Sequence, residues 1–355
     1  MLERTRATVH CLVRAPDEDT ARKRLRHALE RYQLWCEHYA ARIRPLVGDL
    51  GAPGLGLDRR TFEQAARTVD VVIHNGAAVN LAYTYEQLKA VNVGGTAEIL
   101  RLAASHRTVP VNYVSTVGVF PVFPADGQLP GRVLPEHPTG NGALLRHGYA
   151  QTKWVAEELV ATAGKRGLPV TVFRPTRISG DSFTGVCQTS DFLWLLVKGC
   201  VQAGMAPSDY TSDFDLVPVE YVSAAISVLS ADPSATDRIY HLSSERRLSF
   251  AWIVTRLRDL GYRLDDVPLE SWHRHIEQDA GNAAFPLLDL LPQKGLTTSA
   301  TTRPGSPVFD SRTTRHALRT KGVTCAPIDA SLFDRYVRSF VRDGFLPPPH
   351  SLVIH

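Results

Sequence analysis

Short apolar runs alternate with longer amphipathic stretches through the first half of this chain. Residues 8–13, 43–47, 71–73, 109–114 and 170–173 read as strands, and 19–40, 61–68, 84–105 and 148–164 as helices. Apolar runs of this kind, separated by helical periodicity, predict βαβ units whose parallel strands are covered on both faces. After about residue 180 the pattern turns mostly helical. Residues 191–202, 219–230 and 328–343 read as buried or amphipathic helices, and 240–242 as a short strand. The stretch 294–306, rich in Thr, Gly, Ser and Pro, is expected to be the least ordered. The fold class expected is α/β. A Rossmann-like doubly wound parallel sheet (residues 1–183) carries a smaller, mostly helical second domain (184–355).

Composition narrows the function classes only slightly. A net charge of +4 over 355 residues argues for neither nucleic acid nor a membrane surface as partner. No apolar run approaches the ~20 residues that span a bilayer, and nothing at the N-terminus resembles a signal peptide. The five cysteines are scattered, with no C-x-x-C pair and no zinc-ligand spacing, so no metal is expected and a reduced, cytoplasmic setting is. In "WHRHIEQD", His273 and His275 lie two apart, which suits an exposed helix face better than a metal pair. The cluster "AFPLLDLL" (284–291) reads as packing for the second domain, with an acyl channel as the alternative.

Chemistry enters at "HGYAQTKWVAEELV", where Tyr149 and Lys153 stand four apart near the start of a helix. That spacing puts both on one face. An ammonium beside a phenol is expected to lower a pKa near 10 and make the tyrosine a usable acid or base. Spacing alone also describes a solvated helix pair, and Tyr85 and Lys89 repeat it. Context separates the two. Only Tyr149 follows a strand whose end carries hydroxyls, Ser115 and Thr116, and such strand ends face the ligand crevice of α/β folds.

A Ser or Thr, a Tyr and a Lys in Y-x-x-x-K resemble the extended short-chain dehydrogenase/reductase superfamily. Other segments match in order. "VVIHNGAAVN", with Gly76, Ala77 and Ala78, resembles the loop beside the cofactor. "VNVGGT" resembles the helix whose asparagine, here Asn92, supports the active site. "FRPTRISGD", with Pro175, Thr176 and Ile178, resembles the segment at the nicotinamide end. "CLVRA", "ARKRL", "LVGDLGAPGLGL", "DLVPVEYV" and "RDGFLPPP" sharpen the likeness to thioester reductase domains. These terminate nonribosomal peptide and polyketide synthases and occur in carboxylic acid and aminoadipate reductases. Glu220 departs from the aspartate usual in that family.

The resemblance implies NADPH as cofactor, with Arg14 and Arg24 at its 2′-phosphate, Asp49 and Leu50 on the adenine side, and Ser115 along its path. Arginine at a strand end suits a phosphate, where a carboxylate would suit a ribose hydroxyl. The implied partner is an acyl or peptidyl carrier protein presenting a thioester on its phosphopantetheine arm. Thr116, Tyr149 and Lys153 are the implied catalytic residues, and an aldehyde or alcohol the product. Alternatives are a fatty acyl-CoA reductase, a nucleotide-sugar epimerase or dehydratase, and a non-catalytic carrier-docking module. Family members open with a strand, a T-G-x-x-G-x-x-G turn and a helix, and "MLERTR" resembles the last turn of that helix. The expected Rossmann domain is therefore N-terminally truncated. Three origins of that truncation are open: a sequence cut short, a unit supplied by another chain, or a reductase that no longer turns over.

Overall fold

The computed structural model describes residues 1–80, 82–120, 133–137, 139–140, 142–291 and 308–349. Its first half runs β1 (Val9–Val13), α1 (Glu18–Arg31), β2 (Ile43–Val47), α2 (Arg59–Thr68), β3 (Val72–His74), α3 (Tyr85–Lys89), α4 (Gly95–Ala104), β4 (Val111–Val114), β5 (Val133–Leu134), α5 (Gly148–Lys165) and β6 (Val170–Pro175). There follow β7 (Arg177–Ile178), α6 (Phe192–Ala203), β8 (Met205–Pro207), β9 (Asp213–Val217), α7 (Val219–Ser230), β10 (Arg238–Leu242), β11 (Arg247–Ser249) and α8 (Phe250–Asp259). The chain closes with β12 (Asp265–Val267), α9 (Leu269–Glu277), β13 (Val308–Phe309), α10 (Arg312–Arg319) and α11 (Ala330–Arg342). The stretch 294–306 lies outside the described residues.

All pairings in the principal sheet, ordered β10-β6-β4-β3, are parallel. Strands β1 and β2 pair in parallel with each other, as a separate two-stranded sheet. An apolar cluster joins the two sheets: Leu12 and Leu46 pack with Phe62, Ala66 and Leu102 from the covering helices and with Val72 of β3. Strand β10 comes from the second half of the chain, so the two halves interleave.

Two expected helices are divided. The helix read over 19–40 ends at Arg31, because Gln33 takes a left-handed φ of 57° and the Leu34 amide turns back to the Leu29 carbonyl at 2.7 Å. That is a Schellman-type stop, in which a left-handed residue satisfies carbonyls the helix leaves open. The helix read over 84–105 is three pieces: α3, a π-helical turn Ala90–Gly94, and α4. The reason lies outside the segment. A Cβ on Gly95 would stand 2.6 Å from the Leu50 carbonyl oxygen, so the loop after β2 presses on the helix there. A π-turn accommodates such an inserted residue and is frequent at functional sites.

The second half is built on one large core. Trp194 of α6 is almost fully buried, with ring centroids 5.0 Å from Phe340, 5.9 Å from Tyr336 and 6.3 Å from Phe333 of α11. Within 284–291, Phe285–Leu290 form a short 3₁₀ segment whose Leu287 and Leu288 enter the same core. Ala284 and Leu291 join them there, which fits the packing role, and none of the eight residues lines the cavity described below. His275 is exposed on α9, whereas His273 is half-buried, with Nδ1 3.3 Å from the Glu277 carboxylate.

Trp194→Ala deletes the residue that locks α6 to α11. The expected cost is roughly 3–5 kcal/mol of unfolding free energy, read by denaturant titration. Loss of less than about 1 kcal/mol would mean that the two helices are held by other contacts.

Candidate active site

The end of β4 delivers the first polar groups. Its last residues are hydrogen-bonded into the sheet, the Ser115 amide donating to the Phe173 carbonyl at 2.7 Å. Thr116 then leaves the sheet in an extended conformation and caps a 3₁₀ turn, its Oγ1 accepting from the Gly118 amide at 3.1 Å. Ser115 Oγ is buried and has no hydrogen-bond partner.

Helix α5 brings Tyr149 and Lys153 to the same place. Its first residue must be glycine: a Cβ on Gly148 would lie 2.4 Å from the Thr84 carbonyl carbon and the Tyr85 nitrogen. The N-termini of α3 and α5 thus meet backbone to backbone. One turn on, Lys153 runs beneath the helix, donates from Nζ to the Val114 carbonyl at 2.7 Å, and lies 4.1 Å from the Tyr113 ring centroid. The Tyr149 hydroxyl has no partner among the described residues.

Asn92 ties these parts together from the π-turn. Its Oδ1 accepts from the Ala78 amide at 2.8 Å, and its Nδ2 donates to the Ala78 carbonyl and to Thr152 Oγ1, both at 3.0 Å. Thr152 in turn donates to the Tyr149 carbonyl at 2.8 Å. One buried amide therefore fixes the loop after β3 to the first turn of α5.

These elements surround a cavity of about 850 Å³. Thr116, Tyr149, Lys153, Ser115, Ala77, Pro175, Thr176 and Ile178, all marked in the sequence, line it. Asn92 and Ala78 stand just behind its wall through the bonds above. Gly76 backs it as well, with Leu50 so close that a Cβ on Gly76 would touch the leucine at 3.0 Å. Arg14, Arg24, Asp49 and Leu50 do not line the cavity; they gather at the ends of β1 and β2. There the Arg24 guanidinium donates to the Arg14 carbonyl, and Asp49 accepts from the Gly51 amide at 2.9 Å.

Sequence reasoning missed Asp215 on β9, a buried carboxylate in the cavity wall that accepts from Thr176 Oγ1 at 3.0 Å and the Ser244 amide at 2.9 Å. It also missed the Arg177–Asp191 ion pair in that wall, at 2.5 Å. In DFDLV the alternation of Asp with Phe and Leu puts Asp215 among the outward residues, whereas four successive residues of β9 are buried, Asp215 among them.

Electrostatics reverse one expectation. Burial pushes the Tyr149 phenol up to about 12 and pulls the Lys153 ammonium down to about 7, with Glu157 opposing the second shift. The expected lowering of Tyr149 by its neighbour is absent, because the lysine points to a carbonyl and desolvation dominates both groups.

Residues 1–226 match the profile of an NAD-binding family described as "Male sterility protein". Over 98% of its length the chain is 35% identical to the isonitrile lipopeptide synthase of Streptomyces coeruleorubidus, covering 24% of that protein. It is 32% identical over 96% of its length to the L-2-aminoadipate reductase large subunit of Penicillium chrysogenum, covering 26% of it. The chain therefore spans a small part of these curated relatives. Among solved structures, the terminal R domain from the myxalamid PKS-NRPS biosynthetic pathway superposes with a TM-score of 0.88 at 40% identity, covering 98% of this chain and 87% of that one. The reductase (R) domain of a nonribosomal peptide synthetase from Mycobacterium tuberculosis gives 0.77 at 25% identity, covering 95% of this chain and 85% of that one.

Acid should unfold this site through its histidines. Burial lowers His74, beside Thr96, and His241, beside Arg174, from 6.5 to about 3. Between those values the unfolded chain binds protons that the folded chain does not, so stability falls as pH drops from 6.5 towards 3. Asp215, raised to about 6, acts in the opposite sense between about 6 and its ordinary value of 3.8. With two groups against one, the net change is destabilising by several kcal/mol, and His241→Gln should flatten it. Unfolding free energies that do not change across this window would refute the burial of neutral imidazoles.

Proposed function

Since the chain belongs to the NAD-binding Male sterility protein family, within the extended short-chain dehydrogenases/reductases, we propose that it is an NADPH-dependent thioester reductase. Its substrate is an acyl or peptidyl group on the phosphopantetheine arm of a carrier protein, released as an aldehyde or, after a second reduction, as an alcohol. The observation that carries this reading is the convergence of Thr116, Tyr149 and Lys153 on one cavity.

The residues present fit a dinucleotide. Ser115 Oγ is a buried hydroxyl in the cavity wall with no partner among the described residues, as expected of a group whose partner is a ligand. Ala77, Pro175, Thr176 and Ile178 would hold the nicotinamide end, and Arg14 with Arg24 the 2′-phosphate, with Asp49 and Leu50 on the adenine side. NADPH, when bound, supplies the hydride that reduces the thioester carbonyl.

The chain's own groups handle the oxygen and its proton. Tyr149, held as a neutral phenol by its burial, donates its proton to the carbonyl oxygen as negative charge develops there. Thr116 accepts from the Gly118 amide, which leaves its hydroxyl hydrogen free to donate a second bond to that oxygen. Lys153, as an ammonium on the same helix face, would offset part of the burial cost of the phenolate that remains. The carbon–sulfur bond of the resulting hemithioacetal then breaks as its hydroxyl returns the proton to the Tyr149 phenolate, and the arm leaves as a thiolate, freeing the aldehyde.

Purified protein should consume NADPH with an acyl-pantetheine or carrier-bound thioester and not with a UDP-sugar. Tyr149→Phe should lower turnover by about 10²–10⁴-fold with the fold intact by circular dichroism. Binding of the thioester without NADPH consumption would favour a docking module instead. In a separate calorimetric titration, Arg14→Ala should weaken NADPH by about 10–100-fold, the worth of a charge-assisted hydrogen bond, and leave NADH unchanged. Equal loss for both cofactors would remove Arg14 from the 2′-phosphate.

A further inference from the structure

The face of α5 that carries Tyr149 and Lys153 continues one more turn to Glu157, four residues beyond the lysine. Glu157 is 5% exposed. It meets Arg174, fully buried at the end of β6, in a two-pronged ion pair: Nε to Oε1 at 3.0 Å and Nη2 to Oε2 at 2.5 Å. Arg174 is itself held by the His137 carbonyl at 2.8 Å, by His241 Nε2 at 3.4 Å, and by the Phe120 ring at 4.9 Å from its carbon. Phe120 and Pro175, its neighbours in space and sequence, both line the cavity. The pair thus joins the helix that carries the proton donor to the strand end that carries the cavity wall.

We infer that Glu157, held in place by Arg174, is a positioning residue whose carboxylate, one turn along the same helix face, favours the ammonium form of Lys153 in its apolar pocket. The charge census around the ammonium supports this. From β3 it is faced by His74, which is neutral at physiological pH, and from β4 by the Tyr113 ring and the Val114 carbonyl. From its own helix come Tyr149, a neutral phenol, and Glu157. Arg174, from β6, is the remaining charge. Its guanidinium is turned onto Glu157 by both hydrogen bonds, which fixes where the carboxylate sits. Glu157 is therefore the one anion acting on Lys153 from inside the protein, among the described residues. Without such a partner, burial would pull the ammonium down further still. Buried ion pairs are weak stabilisers; what this one adds is a carboxylate fixed one turn below the lysine.

This inference rests on the proposed role of Lys153 as a working ammonium, but its first test does not depend on turnover. The Cε resonance of Lys153 is followed by NMR against pH in protein labelled at lysine, and assigned by its disappearance in Lys153→Met. In Glu157→Gln the titration midpoint should move down by about one pH unit or more, and Glu157→Asp, which keeps the charge, should return it towards wild type. Glu157→Gln combined with Arg174→Gln removes both charges and leaves no unpaired ion. It should show the same downward move if the single variant does not fold. A midpoint unchanged in these variants, with only the melting temperature lowered, would make the pair structural and overturn the inference. In turnover assays, activity requires the ammonium and is lost as pH rises through its midpoint, so that alkaline limb should shift down together with the resonance. Absence of turnover in the wild type would refute the reductase reading and leave the NMR result to decide on Glu157.

Discussion

The site depends on one costly act, the burial of the Lys153 side chain beneath the first turns of α5. An ammonium removed from water must find protein groups to replace its hydration, and few are available inside a parallel sheet whose edges are already bonded. The Val114 carbonyl can serve because β4 ends there and its ladder partners stop. The Tyr113 ring supplies a π-face, and Glu157 the charge. Each of these lies on an element that must hold its position for the lysine to be tolerated. Placement of the lysine therefore fixes the placement of the helix against the sheet.

From that seat the rest of the cavity follows. With α5 anchored at Lys153, its N-terminus reaches α3, and only glycine at 148 permits the contact. Asn92 then bridges the helix to the loop after β3, and it can do so because the π-turn rotates this asparagine away from the regular helical register. A buried amide with three satisfied bonds is a stringent device: removal of any partner leaves a polar atom unpaired in the interior. The region that lines the cavity is thus braced from behind, while the Ser115 hydroxyl on its wall has no partner among the described residues.

The second half of the chain closes the cavity and does not initiate it. Strand β9 pairs with β7, which sets Asp215 beside Thr176, and β10 extends the main sheet past β6. The large aromatic core around Trp194 holds α6 and α11 together, and the Tyr336 hydroxyl from α11 donates to the Gly180 carbonyl at 3.0 Å, just beyond the strand end that lines the cavity. Packing far from the reacting groups is in this way transmitted to the wall.

How much of this was legible beforehand depends on the range of the interaction. Strands β1, β2, β3, β4 and β6, helix α5 and the Tyr149–Lys153 pair were readable because apolar periodicity and helical spacing are local, and the hydroxyls of Ser115 and Thr116 were marked by their place at a strand end. The break of the 84–105 helix was not, because the Leu50 loop that presses on Gly95 lies some forty residues away. Nor was the Glu157–Arg174 pair, formed between a helix and a strand, or the role of Asp215, whose partners are Thr176 and Ser244. The sequence by itself determined which chemical groups share a helix face and which end a strand. Only the tertiary structure decided their charge states, since a pKa depends on how much water is excluded and on which carbonyls, rings and carboxylates the fold brings within reach.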